Sequence, residues 1–235
     1  MKARLATFIL ALVFSLSVGA TTIPIVSYDI SDAMVSGYGI WQHTYSGVIT
    51  PTGQTVAGIA VANYTGGSGT LNDSVVGTDS YTTQLFFTGT TTGGDGSVSP
   101  VITLYLGGTY IINSISLLGG NIVSNAVPGC ITGVTVGLGS ASAAISTTGY
   151  GMSGFFCGGV NDLATITGTS LDGVPTSSIV LSGFTLSALS SGSFSITEIQ
   201  IDGTPVGSEA PEPASAAMMG GGLAALALLL RRRKG

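Results

Sequence analysis

From Thr21 to Ser208 the chain alternates short β-branched apolar runs with Gly, Asn, Asp, Ser and Pro, and no amphipathic stretch of helical period interrupts the pattern. This spacing predicts an all-β sandwich or barrel. The clearest strand is SPVITLYLGG, where Ile102, Leu104 and Leu106 alternate with Val101, Thr103 and Tyr105. Both of its faces are partly apolar, which predicts a central position. Gly107 and Gly108 predict a turn, after which TYIINSISLLGG sets Ile111, Ile115 and Leu117 in one phase with Asn113 interrupting. Further strands are predicted in ITGVTVGLG from Ile131, SSIVLSGFTL from Ser177 and SFSITEIQIDG from Ser193. In the last, Phe194 and Ile196 share one parity and Ile199 and Ile201 the other, which predicts a bulge near Thr197 and Glu198. With no internal repeat and no long linker before about Asp202, the pattern predicts one β-sandwich domain over 21–203, followed by a linker over 204–210.

The two ends break this pattern. MKARLATFILALVFSLSVGA carries Lys2 and Arg4, then an apolar run from Leu5 to about Val18, then small residues. That is the layout of a signal peptide over 1–20, cut after Ala20; the alternative is an uncleaved N-terminal anchor. Either way the body is expected to leave the cytoplasm. At the other end, Ala214 to Leu230 is apolar and Arg231, Arg232, Arg233 and Lys234 follow it. A helix over 214–230 would be roughly 25 Å long at 1.5 Å per residue, a minimal membrane span. The basic tail over 231–234 stops transfer and stays cytoplasmic. Pro211 and Pro213 push Ala210 and Glu212 toward extended backbone, so a rigid acidic peptide precedes the helix.

The order Pro211-Glu212-Pro213, short Gly- and Leu-rich helix and terminal RRRK resembles the PEP-CTERM sorting domain of exported bacterial proteins, over 211–235. The resemblance implies recognition by an exosortase, a membrane cysteine transpeptidase, with removal of the tail near the motif. It further implies a bacterium that makes extracellular polysaccharide or biofilm. After transient anchoring by the C-terminal helix, the expected destination is the cell surface or the extracellular matrix. An ordinary tail anchor with a proline-stiffened stem is the alternative.

Charge narrows the partners. All six Lys and Arg lie in the two end segments, and none lies between Ala20 and Pro213. Nucleic-acid affinity comes largely from cations that neutralise phosphate, so the body is a poor nucleic-acid binder. Phosphorylated substrates are disfavoured for the same reason, whereas neutral ligands and divalent cations remain compatible.

Parts of the body resemble the galactose-binding-like (discoidin-type) jelly roll. GTLNDS from Gly69 is similar to that family's loop with an Asx-Asp-Gly turn, ITLYLGGTYIINSISLLGG from Ile102 to its central hairpin, and FSITEIQIDG to its closing strand. Ser74 stands in place of the usual Gly, Tyr105 stands where Asp is common, and no Arg is available for sugar contacts. The resemblance implies a single jelly-roll β-sandwich and a carbohydrate-binding role.

Candidate chemistry is sparse. Cys130 and Cys157 are an even pair in an exported body, which favours a disulfide over two buried thiols. Tyr38, Trp41, His43 and Tyr45 in GYGIWQHTYSG form either a sugar-stacking ring cluster or a packed segment of the core. Asn72, Asp73, Asp79 and Glu198 are candidate ligands for a structural Ca²⁺, because hard cations take carboxylate and carbonyl oxygens; otherwise Asn72 and Asp73 simply make a turn. No other cofactor is required. With one His and no paired acids at a telling spacing, no catalytic residue is assigned. The expected function is a non-enzymatic surface or matrix protein associated with exopolysaccharide. The alternatives are a purely structural spacer and a glycan-acting enzyme.

Overall fold

The computed structural model describes residues 21–35, 42–56, 58–76, 82–90, 97–119, 131–148, 152–153, 156–157, 161–187 and 192–207. Among the described residues every regular element is a strand. The first seven are β1 (Thr21–Ile23), β2 (Ile25–Met34), β3 (Val48–Val56), β4 (Ile59–Gly67), β5 (Gln84–Phe87), β6 (Gly89–Thr90) and β7 (Ser97–Val98). Next come β8 (Val101–Leu118), β9 (Ile131–Leu138), β10 (Ala141–Thr148), β11 (Met152–Ser153) and β12 (Phe156–Cys157). The chain closes with β13 (Asn161–Thr165), β14 (Pro175–Leu186), β15 (Ser193–Ile196) and β16 (Glu198–Pro205). Among the described residues no helix is long and apolar enough to cross a membrane. The expected signal peptide, C-terminal helix, Pro-Glu-Pro motif and basic tail all lie outside the described residues.

The fold is organised around β8. The expected turn at Gly107 and Gly108 does not form: Val101 to Leu118 is one strand of 18 residues. Its first half pairs with β2 and β14, and its second half with β16 and β13, so one strand serves two layers. The glycines mark the change of layer. From Tyr105 to Tyr110 on β8 the partner strand advances only from Ser178 to Thr176, a bulge that absorbs the extra residues. Neither glycine has the positive φ that a tight turn would require.

The alternation expected in the first half holds, with Ile102, Leu104 and Leu106 buried. In the second half Ile112, not Ile111, joins Ile115 and Leu117 inside. Asn113 explains the shift: the register with β16 slips beside it, and its carbonyl accepts hydrogen bonds from the amides of Ile166 and Thr167 at 2.8 and 3.2 Å. The residue that interrupts the apolar pattern is therefore the one that breaks the ladder.

Pairings β8–β13, β13–β10, β10–β9, β9–β14 and β14–β8 close into a ring, while β2, β4 and β3 extend one layer outward to a free edge. Apolar side chains from both layers meet in one core, which includes Tyr28, Leu104, Val136 and Ile179 from one layer and Ile115, Leu117, Ile199 and Ile201 from the other. Each such fully buried side chain is worth roughly 1.5–3 kcal/mol of transfer free energy.

The parity change expected to be a bulge at Thr197 is a change of partner. β15 pairs with β5, and one residue later β16 pairs with β8. Thr197 pins the junction, its amide and hydroxyl both donating to the Leu118 carbonyl, at 2.7 and 3.0 Å.

Candidate functional site

The loop from Gly69 to Ser74 and the start of β16 meet around a carboxylate. Asn72 shapes the loop: its Oδ1 accepts the Gly69 amide at 2.9 Å and its Nδ2 donates to the Ile25 carbonyl at 2.8 Å. Asp73 Oδ1 accepts the Val75 amide at 2.9 Å. Ser74 sits at a φ of 64°, the left-handed region that favours glycine, which accounts for a Gly being usual there in the jelly-roll family that the loop resembles. From this strained position its amide donates to Glu198 Oε2 at 3.2 Å. The loop is further tied to β16 by the Ile199 amide, which donates to the Leu71 carbonyl at 2.9 Å.

Glu198 is only 4% exposed. Burial pushes its carboxyl up to about 7 and the nearby Asp73 charge adds to the rise, against the backbone amides of Ser74 and Asp73. A cavity of about 140 Å³ opens beside it, lined by Ile23 and Ile25 near the N-terminal edge, by Asn72 and Ser74, and by Glu198 and Gln200. Of the four candidate calcium ligands, the structure brings Asp73 and Glu198 together, engages Asn72 in backbone bonds, and leaves Asp79 outside the described residues. Among the described residues no three His, Cys, Asp or Glu side chains converge. Two carboxylates suit a hard cation only when backbone carbonyls, hydroxyls or water complete the shell.

The ring cluster is placed in part. Tyr38 and Trp41 lie outside the described residues. Tyr45 is half-buried, 5.1 Å from both Tyr28 and Tyr64 by ring centroids, and its hydroxyl donates to the Tyr28 carbonyl and accepts the Gly67 amide, each at 2.8 Å. His43 meets Tyr64 edge to face at 5.3 Å. Burial lowers the imidazole to about 4, so it is neutral at physiological pH. Gly47 and Gly67 make this packing possible, because a Cβ on either would lie 2.7 Å from a Tyr45 ring atom and closer still to the facing backbone. The described rings of this cluster thus pack on buried tyrosines. Cys130 lies outside the described residues, and the side chain of Cys157 with it.

Two features escaped sequence reasoning. Asp162 on β13 is 7% exposed, with Oδ2 accepting the Ile131 amide at 3.0 Å and Oδ1 without a hydrogen-bond partner among the described residues. Burial raises it to about 7, offset in part by that amide. On the opposite, outward side of the sheet, Asp29 accepts the Tyr105 hydroxyl at 2.8 Å and the Gly66 amide at 2.6 Å. Both pairs join residues far apart in sequence, and the parity of Tyr105, on a strand with both faces partly apolar, did not say which way its ring faces.

Neither protein-family models nor curated proteins match this sequence. Among solved structures, a family 32 CBM from C. perfringens NanJ in complex with galactose is similar at 12% identity, covering 78% of this chain and 98% of that one with a TM-score of 0.40. The C-terminal domain of a chitobiase from Bacteroides fragilis is similar at 15% identity, covering 79% and 99% with a TM-score of 0.41. CpGH89CBM32-5 from Clostridium perfringens, in complex with GalNAc-β-1,3-galactose, is similar at 17% identity, covering 77% and 99% with a TM-score of 0.38. At this distance no binding residue transfers from those proteins to this chain.

Proposed function

We propose that this chain is an exported, exosortase-processed, non-enzymatic jelly-roll protein that associates with extracellular polysaccharide at the cell surface or in the matrix. The observation that carries the reading is the charge layout. Every Lys and Arg lies in the two end segments, so the body has no Lys or Arg with which to neutralise phosphate or a polyanion, which favours neutral glycan as its polymer partner. The all-β body supports it, with Ser and Thr recurring along its strands. A structural Ca²⁺ at Asp73 and Glu198 is part of the proposal; it would neutralise two carboxylates in a body that has no Lys or Arg to do so.

Binding without ion pairs has a direct test. Beads coated with a neutral exopolysaccharide are expected to retain the exported protein equally at low and high salt, since no screened charge pair contributes. Retention that collapses with salt would mean an ionic partner, and no retention would favour a purely structural spacer.

The sorting half is tested separately. Replacing Glu212 or Pro213 with alanine is expected to leave a longer, membrane-retained protein on immunoblots of fractionated cells. Normal release of either variant would rule out recognition through the Pro-Glu-Pro motif.

A further inference from the structure

We infer that the outward face of the layer formed by β2, β8 and β14 is a glycan platform, with the Tyr105 ring as its stacking surface and Asp29 as its hydrogen-bond acceptor. The inference rests on the polysaccharide reading above and gives it a site.

Register places the residues. Ser27, Tyr105 and Ser178 pair across the three strands, and so do Asp29, Thr103 and Val180. Cross-strand partners share a face, and residues two apart on a strand share it too. Since Ile102 and Leu104 point into the core, both rows point outward. The six side chains occupy three adjacent strands and two successive outward positions, a patch on the order of 10 Å by 7 Å.

The chemistry of the patch fits a neutral sugar. Tyr105 is 37% exposed, and among the residues whose side chains are described it is the exposed aromatic. Its ladder neighbours Ser27 and Ser178, and Thr103 two residues before it, are short, so none of these three overtops the ring. The bond from its hydroxyl to Asp29 holds the phenol in one orientation, which lowers the entropy lost when a sugar face settles on it. Asp29 is itself held by the Gly66 amide, and each of its oxygens keeps a lone pair for a sugar hydroxyl. Val180, 36% exposed, adds an apolar border for the C–H face of a pyranose. A carboxylate with no cation beside it repels uronate or sulfate, so the platform selects uncharged chains.

Affinity electrophoresis of the full exported protein tests the platform, using gels that contain dextran, a neutral galactan or alginate. Retardation by at least one neutral polymer and none by alginate is expected. Tyr105→Ala should weaken that retardation about tenfold or more, Asp29→Asn a few-fold, and Tyr105→Trp should restore it. Ser178→Glu, which keeps the tyrosine but sets bulk and charge beside its ring, should also abolish it, and wild-type melting temperatures in both variants are expected, so that neither loss is one of folding. If wild type is retarded and Tyr105→Ala and Ser178→Glu run with it, glycan binding stands but this face is not the site. If no neutral polymer retards wild type, the polysaccharide reading falls with the platform. Retardation by alginate would overturn the charge argument.

Discussion

Thermal unfolding is expected to occur at a lower temperature at about pH 8 than at about pH 5, with Asp162 as the main cause. Its folded carboxyl keeps its proton up to about 7, whereas an unfolded one releases it near 3.8. Below the lower value both states are protonated and the group contributes nothing. Between the two the folded state binds more protons than the unfolded state, so stability falls as pH rises, and it levels off above the folded value. A gap of about 3 units corresponds to about 4 kcal/mol, an upper figure for the penalty at neutral pH. Asp162→Asn keeps an acceptor for the Ile131 amide and removes the charge. It should therefore raise the melting temperature at about pH 8 and flatten its pH dependence. A wild-type melting temperature that is the same at both pH values would show that Asp162 is not buried as described.

Glu198, also raised to about 7, adds to the slope in the same direction. A divalent cation beside it would reverse the penalty by favouring the ionised form. Adding Ca²⁺ at the higher pH is expected to raise the melting temperature of wild type and of Asp162→Asn, and to leave Glu198→Gln unmoved. An equal Ca²⁺ effect in Glu198→Gln would place any cation elsewhere.

How far the chain discloses these features depends on the distance over which each is built. Alternation along Val101–Leu106 is local, and it correctly marked this stretch as a central strand, though with both faces partly apolar it did not say that Tyr105 faces outward. Asn113 was visible as an interruption, but its effect on phase was not. The slip that buries Ile112 in place of Ile111 needs β16 alongside and the amides of Ile166 and Thr167 on the Asn113 carbonyl. Two adjacent glycines look like a turn by propensity; here a layer change lets the strand run through them, and tertiary pairing overrides the local signal. The loop at Asn72 was legible because its hydrogen bonds close within a few residues, at Gly69 and Val75. Asp162 and the Asp29–Tyr105 pair were not legible, since one needs Ile131 across the ring of strands and the other spans 76 residues.

Phe194→Ala should be among the most destabilising single truncations, costing about 3–5 kcal/mol and about 10 °C in melting temperature. Phe194 is fully buried, stacked on Phe86 with centroids 4.8 Å apart and 13° between planes, and against Phe184 at 4.7 Å. Phe86 is its cross-strand partner on β5, so one ring holds the two-stranded pair together and seats it on the core. The void left behind has rigid walls: the Thr83 hydroxyl donates to the Ile196 carbonyl at 3.2 Å, and Thr197 is fastened to Leu118. Backbone so constrained cannot collapse into the gap, which puts the cost toward the upper end of the range. The damage should also reach Glu198, four residues on, because β15 sets the position from which β16 starts. Differential scanning calorimetry with and without Ca²⁺ separates the two effects. A large fall in melting temperature together with a diminished Ca²⁺ shift is expected, while a loss below about 1 kcal/mol would mean that the three-ring stack does not hold the closing strands.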